Sequence, residues 1–541
     1  MPPPRRLPIA LPSAHFMAFA PLDAWFRILR RARTHIAPRY WPRLAWCLFT
    51  SAIATAATLP ERLFLAPFLA LASRRGVSNA SPPTVIILGY YRSGTTHLHY
   101  LLSCDPRFIT PKWYQTLAPT GFLLSWEALR WLMTPFVSST RPQDDVAIGP
   151  EWPAEDDFAV NNWTGATTMP GRMLLPSAWD HFRGLNDIEH APPADRAAFG
   201  RALRGFCWKL RRLSRGGGSG NSRPLLLKTP AHTARVAELV RLFGPSTRFI
   251  HLSRDASAVL RSNVAMHARF EPYFLEDYPG DSIIRDRIIA EYDATERAFL
   301  RDAATLKPNT LARLRYQDLI ADPLGEVRRV YAQLGLTLSA EAERRMLAYL
   351  HSVADYRAAS EKAKRTEPDA PADPLPEPLA WMQTAFGHDK PTAAKVPLPP
   401  APRTADPITP GAPIFAPLMI AIIIAAAWLA LAAATRNRLD FLIWPAGIFI
   451  GLAALRAARG GTWKLGVWAA AVTLCTHLAV AYPATYLSSN DYWLRDPIVW
   501  SDIWDSTRDG LLAVNNFVWT VLGVGTAYRF ASRKHVRPPG M

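Results

Sequence analysis

A short run of glycine and hydroxylated residues has the composition of a phosphate-binding turn. The run Gly89-Tyr-Tyr-Arg-Ser-Gly-Thr-Thr96 follows an apolar stretch and precedes a helical pattern. A strand, a glycine-containing turn and a helix N-terminus direct backbone N–H groups toward one point, and hydroxyl groups add donors. The alternative is a strand–helix turn that needs small residues only for its shape. The run predicts an anion site made by Arg92, Ser93, Gly94, Thr95 and Thr96.

The spacing of this turn restricts its ligand. It is the spacing of the nucleotide-phosphate loop G-x-x-x-x-G-K-[ST], but Thr95 stands where that loop has lysine. Because this lysine normally reaches the β- and γ-phosphates, a nucleoside triphosphate fits poorly. A cation is instead available at Arg92, two residues before the second glycine. We therefore expect a nucleotide with a single 5′-phosphoryl group that carries something transferable.

A second anion site is predicted after a later apolar run, 248–252. Arg254 follows this run, and Ser262 stands eight residues further along a helical pattern. A guanidinium and a hydroxyl can bind one phosphate together, although Arg-Asp at a strand end is more often a structural ion pair. Two such sites would hold the separate 5′- and 3′-phosphates of one nucleotide. This interpretation requires Arg254 to lie beside the turn at Gly94.

The elements that must position these residues alternate between strand and helix signals. Short apolar runs predict buried strands at 84–89, 224–227, 248–252 and 310–315. Helical patterns follow them, as in 233–243, where apolar residues recur at i, i+3, i+4 and i+7. The alternation predicts an α/β fold whose parallel sheet is covered by helices and binds ligands at the carboxyl ends of its strands.

Six blocks of the sequence resemble, in the same order, the bacterial sulfotransferases that use 3′-phosphoadenylyl sulfate (PAPS). They are ILGYYRSGTTHLHYLLSCDPRF, RPQDD, PAEDDFAV, LLLKTPAHTARVAELVRLFG, RFIHLSRDASAVLRS and LRYQDLIADPLGEVRRVYAQLGL, within residues 85–336. The resemblance implies a P-loop-like sulfotransferase domain with PAPS as co-substrate. In that family, residues 92–96 would hold the 5′-phosphosulfate, and Arg254 with Ser262 the 3′-phosphate. The sequence departs from the family pattern at Asp145, Asp157 and Ala256.

Sulfuryl transfer needs a deprotonated acceptor oxygen and positive charge near the departing phosphate. Arg92 and Lys228, which follows the second predicted strand, are the candidate cations. His232 is one candidate general base because it titrates near neutrality; alternatively, it only caps a helix. Glu155, in an acidic run, is the other candidate; alternatively, that run is a solvated loop. Related sulfotransferases use a glutamate base, which favours Glu155.

Composition excludes several other classes of protein. The four cysteines are scattered, with no spacing typical of a disulfide scaffold or a metal site. Sulfuryl transfer requires no metal in principle, so we expect none. The net charge of +18 fits either a nucleic-acid surface or anion-site arginines with membrane-flanking charges. Because no block of like charges with interleaved aromatic residues occurs, we expect no nucleic-acid partner.

The C-terminal region is apolar enough to enter a membrane, since a span takes about 20 mostly apolar residues. Four candidate stretches are present: 412–434, 441–455, 465–487 and 511–528. They predict an all-α transmembrane domain of about four helices; the alternative is a buried helical core. Basic residues between the second and third stretches and in the tail place the catalytic domain on the cytoplasmic side of a multi-pass inner-membrane protein.

The predicted organisation has five parts. They are an N-terminal helical or interfacial segment (1–79), the sulfotransferase domain (80–364), a Pro-rich linker (365–411), the transmembrane domain (412–530) and a basic tail (531–541). The linker is expected to be an extended tether. The apolar stretch 44–59 is expected to end at Pro60 and to form an interfacial or core-packing helix, with a membrane span as the less favoured alternative.

Together these features predict a membrane-tethered sulfotransferase that moves a sulfuryl group from PAPS to an acceptor hydroxyl, of a lipid or a glycan. Two other classes of protein remain. A P-loop kinase-like phosphotransferase is disfavoured by Thr95 in the lysine position. A non-catalytic membrane protein with a degenerate nucleotide-binding domain would bind the product nucleotide weakly and would tolerate substitution of Arg92.

Overall fold

The computed structural model describes most of the chain. The described residues are 15–74, 83–124, 149–214, 223–354, 374–400, 412–435, 439–458, 463–488, 505, 507–509, 511 and 513–531. They belong to two compact units, one containing Ala14–Leu129 and Thr140–Arg403 and the other containing Thr404–Arg537. Asp145, one of the departures from the family pattern, lies outside the described residues. The four boundaries between the five predicted parts stay a prediction.

A four-stranded parallel sheet forms the centre of the first unit. Its strands are β1 (Val85–Leu88), β2 (Leu226–Lys228), β3 (Arg248–Ser253) and β4 (Leu311–Arg315). Their order is β2-β1-β3-β4, and every neighbouring pair is parallel. The two central strands are buried almost throughout, which explains why each was visible as a continuous apolar run. The predicted α/β fold with a parallel sheet is confirmed.

Helices surround this sheet. The α-helices of the first unit are Leu22–Ala32, Trp41–Arg74, Thr95–Ser103, Trp113–Leu117, Asp156–Thr164, Met169–Met173, Trp179–Phe182, Pro193–Leu213, Val236–Phe243, Ala256–Ala268, Asp281–Ala303, Tyr316–Ala321, Pro323–Gln333, Ala340–Ser352 and Trp381–Ala385. The helix predicted at 233–243 begins instead as a 3₁₀ helix, Pro230–Arg235, and continues as an α-helix from Val236.

The N-terminal apolar stretch is longer than predicted. It forms one α-helix, Trp41–Arg74, that does not end at Pro60 but continues through Pro60 and Pro67. A proline inside a helix removes a backbone hydrogen bond and crowds the preceding turn. Here both prolines lie on the exposed side of the helix, while Glu61 and Leu65 remain buried against the rest of the unit. Tertiary packing therefore outweighs the local tendency to break.

Residues 374–400, which we call the docked segment, fall inside the predicted extended tether but pack onto the first unit. Leu379 and Met382 are buried in an apolar cluster. The Gln383 side-chain amide donates to an Asp255 oxygen at 2.9 Å, and the Arg315 guanidinium donates to three backbone carbonyls of the segment. A few apolar residues among the prolines bury enough surface to hold this part of the linker on the domain, so here it is not a free tether.

The second unit is all helical, as predicted. Its helices are Ala412–Thr435, Ile443–Ala458, Trp463–Ser488 and Val514–Ala531. Gly447 and Gly523 let two of them approach closely: a Cβ on Gly447 would lie 2.0 Å from the Gly523 carbonyl oxygen.

Length and apolarity distinguish these helices. In the described part of the chain, three helices are long and apolar enough to cross a membrane: Pro38–Ala70, Pro417–Thr435 and Lys464–Thr485. The helix at the second predicted span, Asp440–Ala454, is shorter, and the one at the fourth is not among the three. The predicted number of four C-terminal spans therefore stays a prediction. The N-terminal helix has the length and apolarity of a span, which was the less favoured alternative for this stretch.

A buried ion pair fixes the N-terminal helix to the domain. Glu61 lies 2.7 Å from Lys209 Nζ, both side chains are almost fully buried, and the Glu61 carboxylate also accepts the N–H groups of Leu123 and Leu124. We expect Glu61→Gln to lower the free energy of unfolding by about 3–5 kcal/mol, because it leaves a buried lysine without its counter-charge. The amide nitrogen of the introduced glutamine also cannot accept a hydrogen bond from a backbone N–H, as the second carboxylate oxygen does.

Urea denaturation of the detergent-solubilised chain measures this loss. The matched control is Glu343→Gln, which removes the carboxylate of the exposed pair with Arg328 and should cost far less. Equal losses for the two variants would contradict the importance of the buried pair.

Candidate active site

The carboxyl ends of the parallel strands meet at one edge of the sheet and line a cavity. After β1 the chain turns through Gly94, whose φ of 98° disfavours any side chain. A Cβ on Gly94 would also lie 2.3 Å from the Tyr316 ring. No side chain in the described part of the chain caps the following helix, Thr95–Ser103, and the N–H groups of His97 and Leu98 donate to the Gly94 carbonyl. The turn thus offers donors and a positive helix end to an anion.

The two predicted anion sites adjoin each other. Arg254 Nη1 donates to the Arg92 carbonyl oxygen at 3.1 Å, and its guanidinium lies 4.8 Å from the centre of the Tyr316 ring. Arg92 Nε donates to Ser262 Oγ at 2.9 Å. Because β1 and β3 are neighbours, Arg254 lies beside the turn at Gly94, as the two-phosphate interpretation requires.

The residues of the turn have different positions. Arg92, Gly94, Thr95 and Thr96 line the cavity. Ser93 does not: its hydroxyl donates to the Tyr90 carbonyl at 2.6 Å, and its side chain is buried beneath the turn. The Ser93 hydroxyl therefore stabilises the shape of the turn and leaves the donor function to its neighbours.

Lys228 and Glu155 form an ion pair at the wall of the cavity. Lys228 ends β2, and its Nζ donates to Glu155 Oε1 at 2.6 Å and to Thr96 Oγ1 at 3.2 Å. Both side chains line the cavity, and both are largely buried. Among the described residues that line the cavity, Glu155 supplies the one carboxylate. A cation and a carboxylate are thus held beside the turn at Gly94.

The acidic run that follows Pro153 and Ala154 is divided among three basic partners. Glu155 binds Lys228, whereas Asp156 Oδ2 lies 2.6 Å from His232 Nε2 and Asp157 Oδ1 accepts from Arg235 at 2.7 Å. Burial alone would raise the pKa of Asp156, but the charge and hydrogen bond of His232 and further donors lower it. The run is therefore a buried charge network and not a solvated loop.

This network excludes His232 from the cavity. Its side chain is fully buried, does not line the cavity and makes no helix cap, but it binds Asp156. The residues after β2 form a tight 3₁₀ helix in place of the predicted α-helix start. The structure therefore does not bring His232 to the site where a general base is needed, and of the two candidates only Glu155 is there.

Two further cavity residues carried no signal in the sequence. Arg172 Nη1 donates to Glu291 at 2.6 Å, and its guanidinium stacks 3.8 Å from the centre of the Tyr91 ring. Its Nη2 is buried without a partner in the described part of the chain. His99 also lines the cavity; burial and the charge of Lys228 lower its pKa well below 6.5, so it is neutral. Neither residue lies at the end of a strand. The one pattern that could have indicated a cavity residue is the arginine within the otherwise apolar segment 169–173.

Part of the remaining wall is apolar, although Tyr91, His97, Tyr100 and Tyr316 also line the cavity. The apolar part includes Trp113, Ala154, Phe158, Met169, Met173, Met266 and Phe270. The cavity therefore combines a cationic end, formed by the turn with Arg92, Lys228 and Arg254, with an apolar surface that suits a hydrocarbon group. No cluster of His, Cys, Asp or Glu among the described residues could hold a metal ion, and the absence of a metal cofactor stays a prediction.

Known proteins match the part of the chain that contains this site. Residues 83–340 match the sequence model of the sulfotransferase family. Omega-hydroxy-beta-dihydromenaquinone-9 sulfotransferase Stf3 of Mycobacterium bovis is 28% identical over 336 residues, which cover 62% of this chain and 82% of that protein.

Two further matches are more limited. Human carbohydrate sulfotransferase 5 is 36% identical over 117 residues, which cover 20% of this chain and 27% of that protein. The crystal structure of sulfotransferase STF1 from Mycobacterium tuberculosis aligns with a TM-score of 0.46 and 17% identity, over 65% of this chain and 92% of that chain.

Proposed function

We propose that this chain, whose residues 83–340 match the sulfotransferase family, transfers a sulfuryl group from PAPS to the hydroxyl of a lipid at a membrane. The observation that supports this most directly is the Glu155–Lys228 ion pair. It lies beside the anion-binding turn through Thr96 and beside the apolar wall through Ala154. A base and a cation are therefore available where donor and acceptor would meet.

The charges at the strand ends fit a nucleotide with two separate phosphates. In the described part of the chain, Arg254 has no carboxylate within ion-pair distance, and burial together with neighbouring Arg92 lowers its pKa. A bound anion would relieve this repulsion. We assign the 3′-phosphate to Arg254 and Ser262, and the 5′-phosphosulfate to the turn with Arg92 and Lys228. Ser262 accepts from Arg92 and can still donate its own hydroxyl proton.

In the proposed reaction Glu155 accepts the proton of the acceptor hydroxyl, and the acceptor oxygen forms a bond to sulfur. The bond between sulfur and the bridging oxygen of the 5′-phosphate breaks, and that oxygen keeps the electron pair. Protonation of Glu155 weakens its ion pair with Lys228, because the carboxylate loses its charge. Lys228 can then turn its charge toward the departing phosphate, together with Arg92 and the helix N-terminus.

The apolar wall supports a lipid acceptor more than a glycan. Aromatic and methionine side chains offer few partners for the many hydroxyls of a sugar. The relative from Mycobacterium bovis is named for a hydroxylated dihydromenaquinone, whereas the match to a carbohydrate sulfotransferase covers 20% of this chain. We therefore propose an acceptor that has a hydroxyl on a long hydrocarbon chain.

Membrane attachment is the remaining part of the proposal. Apolar helices of spanning length support it, and the basic connections of the C-terminal region favour a catalytic domain on the cytoplasmic side. Most of these connections lie outside the described residues, so the orientation depends on the sequence alone. A cytoplasmic site would also lie where PAPS is made.

Binding of 3′-phosphoadenosine 5′-phosphate (PAP), the product nucleotide, tests the donor site. Calorimetry on the full chain in detergent should show PAP binding, and Arg254→Ala should weaken it by about 1.5–3 kcal/mol, roughly 10- to 150-fold in Kd, through the loss of a charge-assisted contact. The matched control is Arg328→Ala, an arginine on an exposed helix, which should leave the Kd unchanged. Tighter binding of ATP–Mg than of PAP would instead support a kinase-like phosphotransferase.

The role of Glu155 is tested by Glu155→Gln, which keeps the shape of the side chain but removes the proton acceptor. We expect the rate of sulfuryl transfer at saturating PAPS to fall about 10²- to 10⁴-fold, while the Kd for PAP changes little. The control is Glu151→Gln, which removes the nearby carboxylate that binds Lys112. If Glu155→Gln retains most of the rate, another residue is the base.

The acceptor class is tested with radiolabelled PAPS and whole membranes from cells that express the chain. We expect the label in lipid extracted by organic solvent, and we expect none there when Glu155→Gln replaces the parent chain. Label found solely in water-soluble products would contradict a lipid acceptor without contradicting sulfuryl transfer.

A further inference from the structure

The N-terminal helix Trp41–Arg74 buries several polar side chains and exposes many large apolar ones. The face packed on the domain includes polar side chains, and buried positions recur every three or four residues: Cys47, Ser51, Ala54, Thr58, Glu61 and Leu65. Large apolar side chains are exposed on the other side: Trp46, Phe49, Ile53, Leu59, Leu63, Phe64 and Phe68. Phe49, Leu63 and Phe64 are 58%, 68% and 62% exposed. A surface helix in water has the opposite arrangement.

The buried polar side chains determine which face of the helix points outward. Ser51 Oγ accepts from Trp25 Nε1 at 2.9 Å and also lies 3.3 Å from the Met17 carbonyl oxygen. Glu61 is bound to Lys209. Rotation of the helix to bury its aromatic residues would break these contacts and leave buried polar groups unpaired, which is costly. The apolar face is therefore a fixed feature of the surface.

This face has the extent of an interaction surface. It continues onto the neighbouring helix Leu22–Ala32, where Phe26 is 66% exposed, and the two helices are joined by a hydrogen bond from the Leu22 N–H to Thr55 Oγ1. Apolar patches that extend over two neighbouring helices are uncommon on soluble monomers and mark contacts with proteins or lipids.

The helix has the composition of a membrane span, yet the domain packs along its length. Near its start, Arg43 donates to the Glu271 carbonyl at 3.1 Å, and near its end Leu69 lies against Gly205. These two positions are about 39 Å apart at the α-helical rise of about 1.5 Å per residue. Between them the charged pair Arg62–Asp23 lies beside the helix, partly exposed. Crossing the bilayer would carry these charges into hydrocarbon, so the helix fits a position parallel to the surface.

Charges at the edge of the patch identify its partner. Exposed arginines lie on or just after the adjoining helix and just before Trp41: Arg30 and Arg33, and Arg27 and Arg39, which pair with Asp23 and Asp277. Two tryptophans, Trp41 and Trp46, stand near the same end of the patch. Tryptophan rings favour the boundary between headgroups and acyl chains, and arginines attract anionic headgroups. An apolar face with aromatic and basic edges is typical of helices that lie in that boundary.

We propose that the outer face of helix Trp41–Arg74 is embedded in the interfacial layer of an anionic bilayer, so that the catalytic domain itself rests on the membrane. This contact is separate from the C-terminal helices. The segment that Arg43 holds, Glu271–Tyr273, directly follows Phe270 of the cavity wall. If the acceptor is a lipid, which rests on the proposed function, this geometry brings the apolar wall of the cavity near the bilayer that supplies the acceptor.

The depth of labelled positions in a bilayer tests the proposal without any measurement of activity. In the full chain, Cys475→Ser removes the exposed native cysteine, since Cys47, Cys104 and Cys207 are buried. Phe49→Cys and Phe64→Cys, introduced one at a time, carry an environment-sensitive NBD fluorophore. The chains are reconstituted in vesicles of phosphatidylcholine and phosphatidylglycerol with nitroxide quenchers at a shallow or a deep acyl position. Arg328→Cys, on an exposed helix, is the matched control.

We expect blue-shifted emission at both Phe49→Cys and Phe64→Cys, with at least twofold stronger quenching by the shallow nitroxide than by the deep one, and no quenching at Arg328→Cys. A shallow depth at one position and a deep one at the other would mean that the helix crosses the bilayer, which overturns the proposal. Blue-shifted emission without lipid quenching would mean that a protein surface, such as a second copy, covers the face. Emission typical of water would overturn the proposal as well. Unchanged thermal midpoints show that the labelled chains are folded.

Discussion

The adjacency of β1 with both β2 and β3 is the constraint on which the site depends. Arg92, Lys228 and Arg254 are far apart in sequence, but each follows a strand of one parallel sheet, so that their side chains meet at a single edge. The β1 turn lies in the middle of this edge. Arg254, which follows β3, donates to the Arg92 carbonyl of this turn, and Lys228, which ends β2, donates to Thr96 Oγ1. A different strand order would separate Arg254 and Lys228 from the β1 turn and remove the basis for the proposed binding of one nucleotide with two phosphates.

Pairing of buried charges then decides which groups remain for chemistry. His232 is paired with Asp156, Arg235 with Asp157, and Arg172 with Glu291 on one side of its guanidinium. Each of these pairs is removed from water, and breaking any one would leave an uncompensated charge. The pair Glu155–Lys228 differs because both of its side chains line the cavity, whereas Arg172 lines it without its partner Glu291. The surrounding network holds this pair in place before substrate arrives, which is the arrangement that electrostatic catalysis requires.

Two segments outside the sheet pack on this domain in ways that their composition alone does not reveal. The docked segment is rich in proline, yet it is held by Leu379, Met382 and Gln383. The helix Trp41–Arg74 is apolar enough to span a membrane, yet its polar side chains face the protein. Average hydropathy does not distinguish a spanning helix from one that lies on a surface, because the difference is in which face carries the apolar residues.

Local signals in the sequence were sufficient for the parallel sheet, for the glycine-containing turn after β1 and for the helical character of the C-terminal region. Each of these depends on neighbours within a few positions, such as a continuous apolar run or the glycines of a turn. Tertiary structure alone placed Glu155 at the cavity and His232 away from it, brought Arg172 and His99 to the cavity, continued a helix through Pro60 and docked residues 374–400. These outcomes depend on partners that are distant in the chain. The role of a buried charge is set by the group that neutralises it. A proline is tolerated where tertiary packing before and after it in the sequence holds the helix.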